Sequence, residues 1–217
     1  LKVFTTFSLR RFMTDAKEAK EKGYLKHIPH FTLVSVYMKK EEMTPILQNL
    51  IMLSALPMKA VETKFAIDST GFRTTHFNEY CKEKHNTKQE HQWIKAHLCT
   101  GVNTNIVTGV EITDENGGTA YIPFRSNATG KSRGSYTWMK MYRFFTYNRD
   151  EFMAHYHLRS NVESTNNMIK SKFTDLVRSK DKTAQINEVL LKVLCHNICV
   201  LISEMFEMGI EANFIFS

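Results

Sequence analysis

Cysteine is scarce: four residues in 217, at positions 81, 99, 195 and 199, are too few and too scattered for a disulfide scaffold. A reducing compartment follows as the expected setting, with a cytoplasmic location. Long apolar runs are also missing. The two richest stretches, Leu50 to Met58 and Val189 to Met208, are short or interrupted by Lys192, His196, Asn197 and Glu204, so neither reads as a membrane span and no membrane partner is expected. No secretory signal, repeat period or low-complexity tract is visible. The first residue is Leu1 rather than Met and leads straight into a strand-like Val-Phe-Thr-Thr-Phe run, so the chain is expected to start inside a longer reading frame.

What remains is an ordinary globular composition, 42% hydrophobic and 24% charged, with room for one domain or one plus a small appendage. Lys and Arg number 29 against 22 Asp and Glu, a net +7 that favours a polyanionic partner, with nucleic acid ahead of an acidic membrane surface. The charge is uneven: residues 121–180 hold 11 basic against 4 acidic residues, residues 61–120 hold 6 against 8, and residues 181–217 hold 2 against 5.

The first 60 residues read as helical. Thr14 is placed to cap a helix from Asp15 to Lys22 that stops at Gly23, and Thr44-Pro45 is placed to open a second from Ile46 to Leu56. From Val61 the pattern turns to strands. Lys64 to Asp68 runs into a Ser-Thr-Gly turn, and Trp93 to Val102 and Ile106 to Ile112 are β-branched runs joined across Asn103 to Asn105 as a hairpin. Thr119 to Phe124 is a further short extended run. The rest is helical, ending in a long, largely buried helix from about Thr183 to Met208 before Gly209. Strands followed by helices give an α/β or α+β core, preceded by a small helical segment.

The most informative segment runs from Tyr156 to Lys170. At about 100° per residue, offsets of 3, 7 and 14 place Tyr156, Arg159, Glu163 and Lys170 within roughly 60° of one another on one helix face. Leu158, Val162, Ile169, Phe173 and Leu176 lie well around from that stripe, so the helix can bury one side and present Glu163 beside two cations and a phenol. The competing reading is a solvated face carrying an Arg159/Glu163 pair, which stabilises by only about 0.2–0.5 kcal/mol. Asp68 tips the balance. A carboxylate at the end of an apolar strand sits where α/β sheets bind ligands, and with a helix Glu it can offer oxygen ligands to Mg²⁺. Its alternative is a turn-former before Ser-Thr-Gly71.

Several segments carry a family resemblance: Phe65-Ala-Ile-Asp68-Ser-Thr-Gly-Phe72, Trp93-Ile-Lys-Ala-His-Leu98, Tyr121-Ile-Pro-Phe124 with Ser126-Asn-Ala-Thr-Gly130, and the Tyr156/Arg159/Glu163/Lys170 spacing. Together they resemble DDE transposases of prokaryotic insertion sequences, in the branch with a Tyr-x2-Arg-x3-Glu-x6-Lys signature, from about Arg10 to Leu201. The resemblance implies a ribonuclease-H-like fold and a Mg²⁺- or Mn²⁺-dependent cut-and-join reaction on double-stranded DNA, at element terminal inverted repeats and target DNA. It implies Asp68 and Glu163 as first and last members of the catalytic triad and as metal ligands, with Tyr156, Arg159 and Lys170 holding the DNA end. It divides the chain into a helical DNA-binding remnant at 1–60 and a catalytic domain at 61–217. A homo-oligomer on DNA fits the same picture.

The chain departs from that family between its hairpin and the Tyr121-Ile-Pro-Phe124 strand. The family places a strand bearing the second catalytic Asp there, flanked by helices, whereas only six residues separate Ile112 from Thr119. Asp114 and Glu115 stand where the family has an ordinary loop acid, so the second catalytic role does not transfer to them. The expectation is an incomplete ribonuclease-H-like core with a deletion near 113–119 and impaired catalysis, because a two-metal site needs a bridging ligand in fixed geometry. The alternative is a non-catalytic DNA-binding or oligomerising remnant.

Other residues sort by chemistry. Arg125, Lys131, Arg133, Lys140 and Arg143, with Lys172 and Arg178 further on, are candidate phosphate contacts. The interleaved Tyr136, Trp138, Tyr142, Phe144, Phe145 and Tyr147 either stack on unpaired bases or form a buried edge of the core. Ser126-Asn-Ala-Thr-Gly-Lys131 lacks the spacing of a phosphate loop. Cys81, His85, His91, His97 and Cys99 match no paired zinc pattern. Cys195 and Cys199 with His196 read as small core residues and a histidine that finds a partner.

Overall fold

The computed structural model describes residues 2–74, 93–113, 136–209 and 211; within these ranges the side chains of 113, 136–138, 141 and 154–161 are outside the description. Four helices come first: α1 (Lys2–Thr5), α2 (Phe12–Glu21), α3 (Phe31–Met38) and α4 (Met43–Ala55), the last running into a 3₁₀ turn at Leu56–Ala60. Strands β1 (Phe65–Arg73), β2 (Trp93–Gly101) and β3 (Val107–Thr113) follow, and then helices α5 (Tyr136–Tyr147), α6 (Arg149–Phe173) and α7 (Lys182–Met208). The result is a mixed α/β fold, compatible with an incomplete ribonuclease-H-like core.

The three described strands form one antiparallel sheet in the order β1-β2-β3. Because side chains alternate across a strand, Thr70 and Phe72 on β1 share a face with Ile94, Ala96 and Leu98 on β2, and all five are buried. That face packs on Leu47 and Ile51 of α4, Ile169 and Phe173 of α6, and Val189, Leu190 and Val193 of α7. The helix partners recur every three or four residues, the spacing that keeps side chains on one helical face.

Helix α7 is the centre of the assembly. Asp181 caps it by accepting from the Ala184 amide at 3.1 Å, and Gly209 ends it in the left-handed region at φ +65°, where a glycine carries no Cβ penalty. By length and composition it could cross a membrane. In the fold Asn187, Glu188, Lys192, His196 and Asn197 are buried and partnered. Asn197 accepts from the Val107 amide at 2.9 Å and donates to the Val107 carbonyl at 2.7 Å and the Ser54 hydroxyl at 2.9 Å, which fastens α7 to both β3 and α4. Asn187 accepts from Thr44 Oγ1 at 2.8 Å, and a ring nitrogen of His196 lies 2.9 Å from the Asn105 carbonyl.

Glu62 secures the hairpin turn. Its Oε2 accepts from the Asn103 amide, the Thr104 amide and Thr104 Oγ1 at 2.9–3.0 Å, and a Cβ on Gly101 would stand 2.5 Å from the Glu62 side chain.

Four expectations need correction. The strand-like run from Val3 to Phe7 begins inside helix α1 (Lys2–Thr5) and forms no strand. The Ser69-Thr70-Gly71 segment is not a turn: it continues β1 and pairs with His97, Ala96 and Lys95, so Asp68 stands in mid-strand opposite Leu98. Gly71 is there because the Trp93 ring comes down on it, 3.0 Å from where a Cβ would sit. Helix α2 starts at Phe12 and α4 at Met43, and neither takes a threonine cap, since Thr44 spends its hydroxyl on Asn187. Leu176 lies beyond the end of α6 and pairs with Arg73 in an isolated parallel bridge. The expected Thr119 to Phe124 strand and the 113–119 junction beyond Thr113 lie outside the described residues.

Candidate active site

Asp68 projects from the half-buried middle of β1, on the face that α6 covers. Its partner on α6 is Asn166, whose side-chain Nδ2 donates to Asp68 Oδ2 at 3.2 Å. Glu163 lies three residues before Asn166 and Lys170 four residues after it, so helical geometry puts these three positions on one side of α6, about 5–6 Å between successive Cβ atoms. Glu163 is exposed and Lys170 is half-buried, with its ammonium 5.8 Å from the centre of the Phe72 ring. Burial lowers the Lys170 pKa, and the Asp175 carboxylate acts against that shift. Val162, Thr165, Ile169 and Phe173 form the buried side of the same helix.

Two fastenings fix α6 against β1. Beside the site, Thr165 Oγ1 donates to Asn105 Oδ1 at 3.0 Å, which ties the helix to the hairpin turn. Past the end of the helix, the Arg73 guanidinium makes a two-pronged contact with Asp175 at 2.7 and 2.8 Å, and this holds the Asp175 carboxyl below its ordinary pKa. The Arg73 amide donates to the Asp175 carbonyl at 2.8 Å, and the Val177 amide donates to the Arg73 carbonyl at 2.7 Å. Lys192 closes this region from beneath, donating to the carbonyls of Thr174 and Leu176 at 2.9 and 2.7 Å. The offset between Asp68 and Glu163 is therefore held by the sheet at one end and by the α6 exit at the other.

The donor set suits a hard divalent cation. Two carboxylates come from two rigid elements, and Asn166 engages only Oδ2 of Asp68, leaving Oδ1 to other ligands. Mg²⁺ is commonly held by one or two carboxylates, with water and substrate phosphate completing its shell. Among the described residues no group of three or more His, Cys, Asp or Glu side chains converges as a metal site. A cation held here would take its protein oxygens from Asp68 and from Glu163 on the facing helix, with water and substrate oxygens completing the shell.

The other sequence candidates divide. Tyr156 and Arg159 lie on α6, with side chains outside the description; Arg125, Lys131, Arg133, Asp114 and Glu115, and also Cys81, His85 and His91, lie outside the described residues. Lys140, Arg143 and Lys172 are exposed. Arg178 donates to the Thr6 carbonyl and lines a cavity of about 440 Å³ with Lys2, Phe7, Glu188 and Lys192, a different place from the Asp68 face. Phe144 and Phe145 pack on buried Phe152, with ring centroids 5.9 and 5.0 Å away, so they belong to the core edge; Tyr147 is 82% exposed. His97 shares a 2.6 Å hydrogen bond with Ser69 on the opposite face of the sheet from Asp68.

Sequence reasoning missed Asn166. The available signal was its place one turn after Glu163 on the same stripe, but its partner is 98 residues away and only the packing of α6 on β1 brings the two together.

Residues 59–121 match the family described as the transposase DDE domain, a segment that contains β1, Asp68 and the β2-β3 hairpin. No curated protein and no solved structure matches the chain.

Proposed function

We propose that the chain is a DDE-type transposase of insertion-sequence origin, in which Asp68 and Glu163 hold a divalent cation against the phosphodiester of a DNA end. The observation that carries this reading is the Asp68–Asn166 contact, which seats the face of α6 bearing Glu163 over a strand inside the transposase-like segment. A bound Mg²⁺ or Mn²⁺ supplies Lewis-acid activation of the phosphodiester and of the attacking water. The chain's own part is to fix the two carboxylates on rigid elements and to neutralise phosphate charge with Lys170 and, from the preceding turns of α6, Arg159, with Tyr156 alongside. The exposed Lys140, Arg143 and Lys172 add cations for DNA phosphates, and the same role is assigned to Arg125, Lys131, Arg133 and Arg178. Residues 1–60 act as a helical DNA-binding region, 61–217 as the catalytic region, and the working form on DNA is a homo-oligomer.

With only Asp68 and Glu163 assigned as carboxylate ligands, cleavage is slow and Mn²⁺ outperforms Mg²⁺, because a weakened oxygen cage favours the ion less demanding of ideal geometry. The test pairs a mobility-shift titration with a nicking assay, both on a duplex carrying the terminal repeats that flank the gene. Expected are salt-dependent binding that prefers the repeats and Mn²⁺-dependent nicking lost in Asp68→Asn and Glu163→Gln. Equal weak binding to all DNA, or nicking indifferent to Glu163→Gln, contradicts the reading. The six-residue junction between Ile112 and Thr119, too short for a strand bearing a second catalytic Asp, favours one alternative, a DNA-binding remnant without catalysis. Repeat-specific binding with no nicking in either metal identifies it.

A further inference from the structure

Asn166 is 6% exposed and lies where the Glu163/Lys170 side of α6 meets its buried side of Val162, Ile169 and Phe173. Its Nδ2 is engaged with Asp68, whereas its Oδ1 is buried with no hydrogen-bond partner. An amide placed only for packing would have both ends satisfied, or would be replaced by an apolar residue like its neighbours. Here the orientation has one evident determinant. Turning the amide over would press Oδ1 against the Asp68 carboxylate oxygen, so the carboxylate dictates the geometry at the expense of an unmet acceptor.

We infer that Asn166 is a positioning residue for the cation site: it orients the Asp68 carboxylate so that Oδ1 is presented toward the Glu163 side of α6. This rests on the proposed cation site at Asp68 and Glu163. Residues in this relation to a metal ligand set its rotamer and withdraw one of its two oxygens from competition, and their loss weakens metal affinity by about 10- to 100-fold. The unmet Oδ1 fits a residue kept for function at some expense to the fold.

The test uses the full chain and Mn²⁺ alone as probe. Mn²⁺ affinity is measured by calorimetry or by electron paramagnetic resonance of the free ion, and thermal stability by melting, for wild type, Asp68→Asn, Glu163→Gln, Asn166→Leu and Asn166→Ala. Expected is an Asn166→Leu variant that melts no lower than wild type and binds Mn²⁺ at least tenfold more weakly, while Asp68→Asn abolishes the site. Unchanged Mn²⁺ affinity in both Asn166 variants, with the site lost in Asp68→Asn, overturns the role of Asn166 and leaves the cation site standing. A wild type that binds no Mn²⁺ overturns the cation site, and this inference with it. Should Asn166→Leu fail to fold, the wild type still decides: Mn²⁺ must broaden the Asn166 side-chain amide resonance beyond detection at saturation, and a sharp resonance there refutes the proposal.

Discussion

Lys192 offers a stability test whose sign and size both follow from the structure. The side chain is 2% exposed, and its ammonium lies between the Thr174 and Leu176 carbonyls, 4.0 Å from Glu188 and 5.5 Å from the Phe72 ring centre. Burial, aided by the nearby charges of Arg178 and Lys2 and opposed by Glu188 and Asp175, brings its pKa down from 10.5 to about 8. A depressed lysine pKa means that the folded state holds this proton less tightly than the unfolded chain. Between pH 8 and 10.5 the unfolded chain therefore binds more protons, and stability attributable to Lys192 rises with pH. Two to three pKa units correspond to about 3 kcal/mol, a penalty fully present below pH 8 and relieved by pH 10.5. Replacing Lys192 with Met removes the titrating group while keeping the length of the stem. Denaturant unfolding of wild type and Lys192→Met at intervals from pH 7 to 10.5 isolates the term, because the other lysines and tyrosines cancel in the difference. The wild type should gain stability relative to the variant by up to about 3 kcal/mol across that window. A difference that stays flat or falls with pH refutes the placement of a charged amine in this site.

The hairpin and its anchor allow two further tests. Asn197→Leu takes away the acceptor of the buried Val107 amide and the donor to its carbonyl, and should cost about 2–4 kcal/mol in denaturant unfolding without changing helix content by circular dichroism. Gly101→Ala would place a Cβ 2.5 Å from a Glu62 side chain already pinned by three hydrogen bonds, and should lower stability by about 1–3 kcal/mol; a neutral result would mean that Glu62 does not hold the turn.

Much of the fold could be read from periodicity because it rests on local signals. The α7 stripe of apolar residues ending at Gly209 and the β2-β3 hairpin are both recovered within a few residues of their expected bounds. The errors arise where a distant partner overrides a local preference. Ser69-Thr70-Gly71 has turn composition, yet β2 pairs along its whole length and carries Asp68 into mid-strand. Thr44 has the makings of a cap, but Asn187, 143 residues away, takes its hydroxyl. For Phe144 and Phe145 composition leaves base stacking and a buried core edge both open, and Phe152 on the next helix decides for the core edge. Asp68 and Glu163 were both legible as candidates. The residue that links strand to helix, Asn166, was not, since its place one turn after Glu163 does not reveal a carboxylate 98 positions earlier as its partner.

The most direct test of the site is crystallographic. A crystal of the full chain soaked in Mn²⁺ should give an anomalous difference peak at bonding distance from both Asp68 and Glu163, lost in a soaked Glu163→Gln crystal. A peak that touches neither carboxylate, or one unchanged by Glu163→Gln, contradicts the assignment of these two residues to a single cation site.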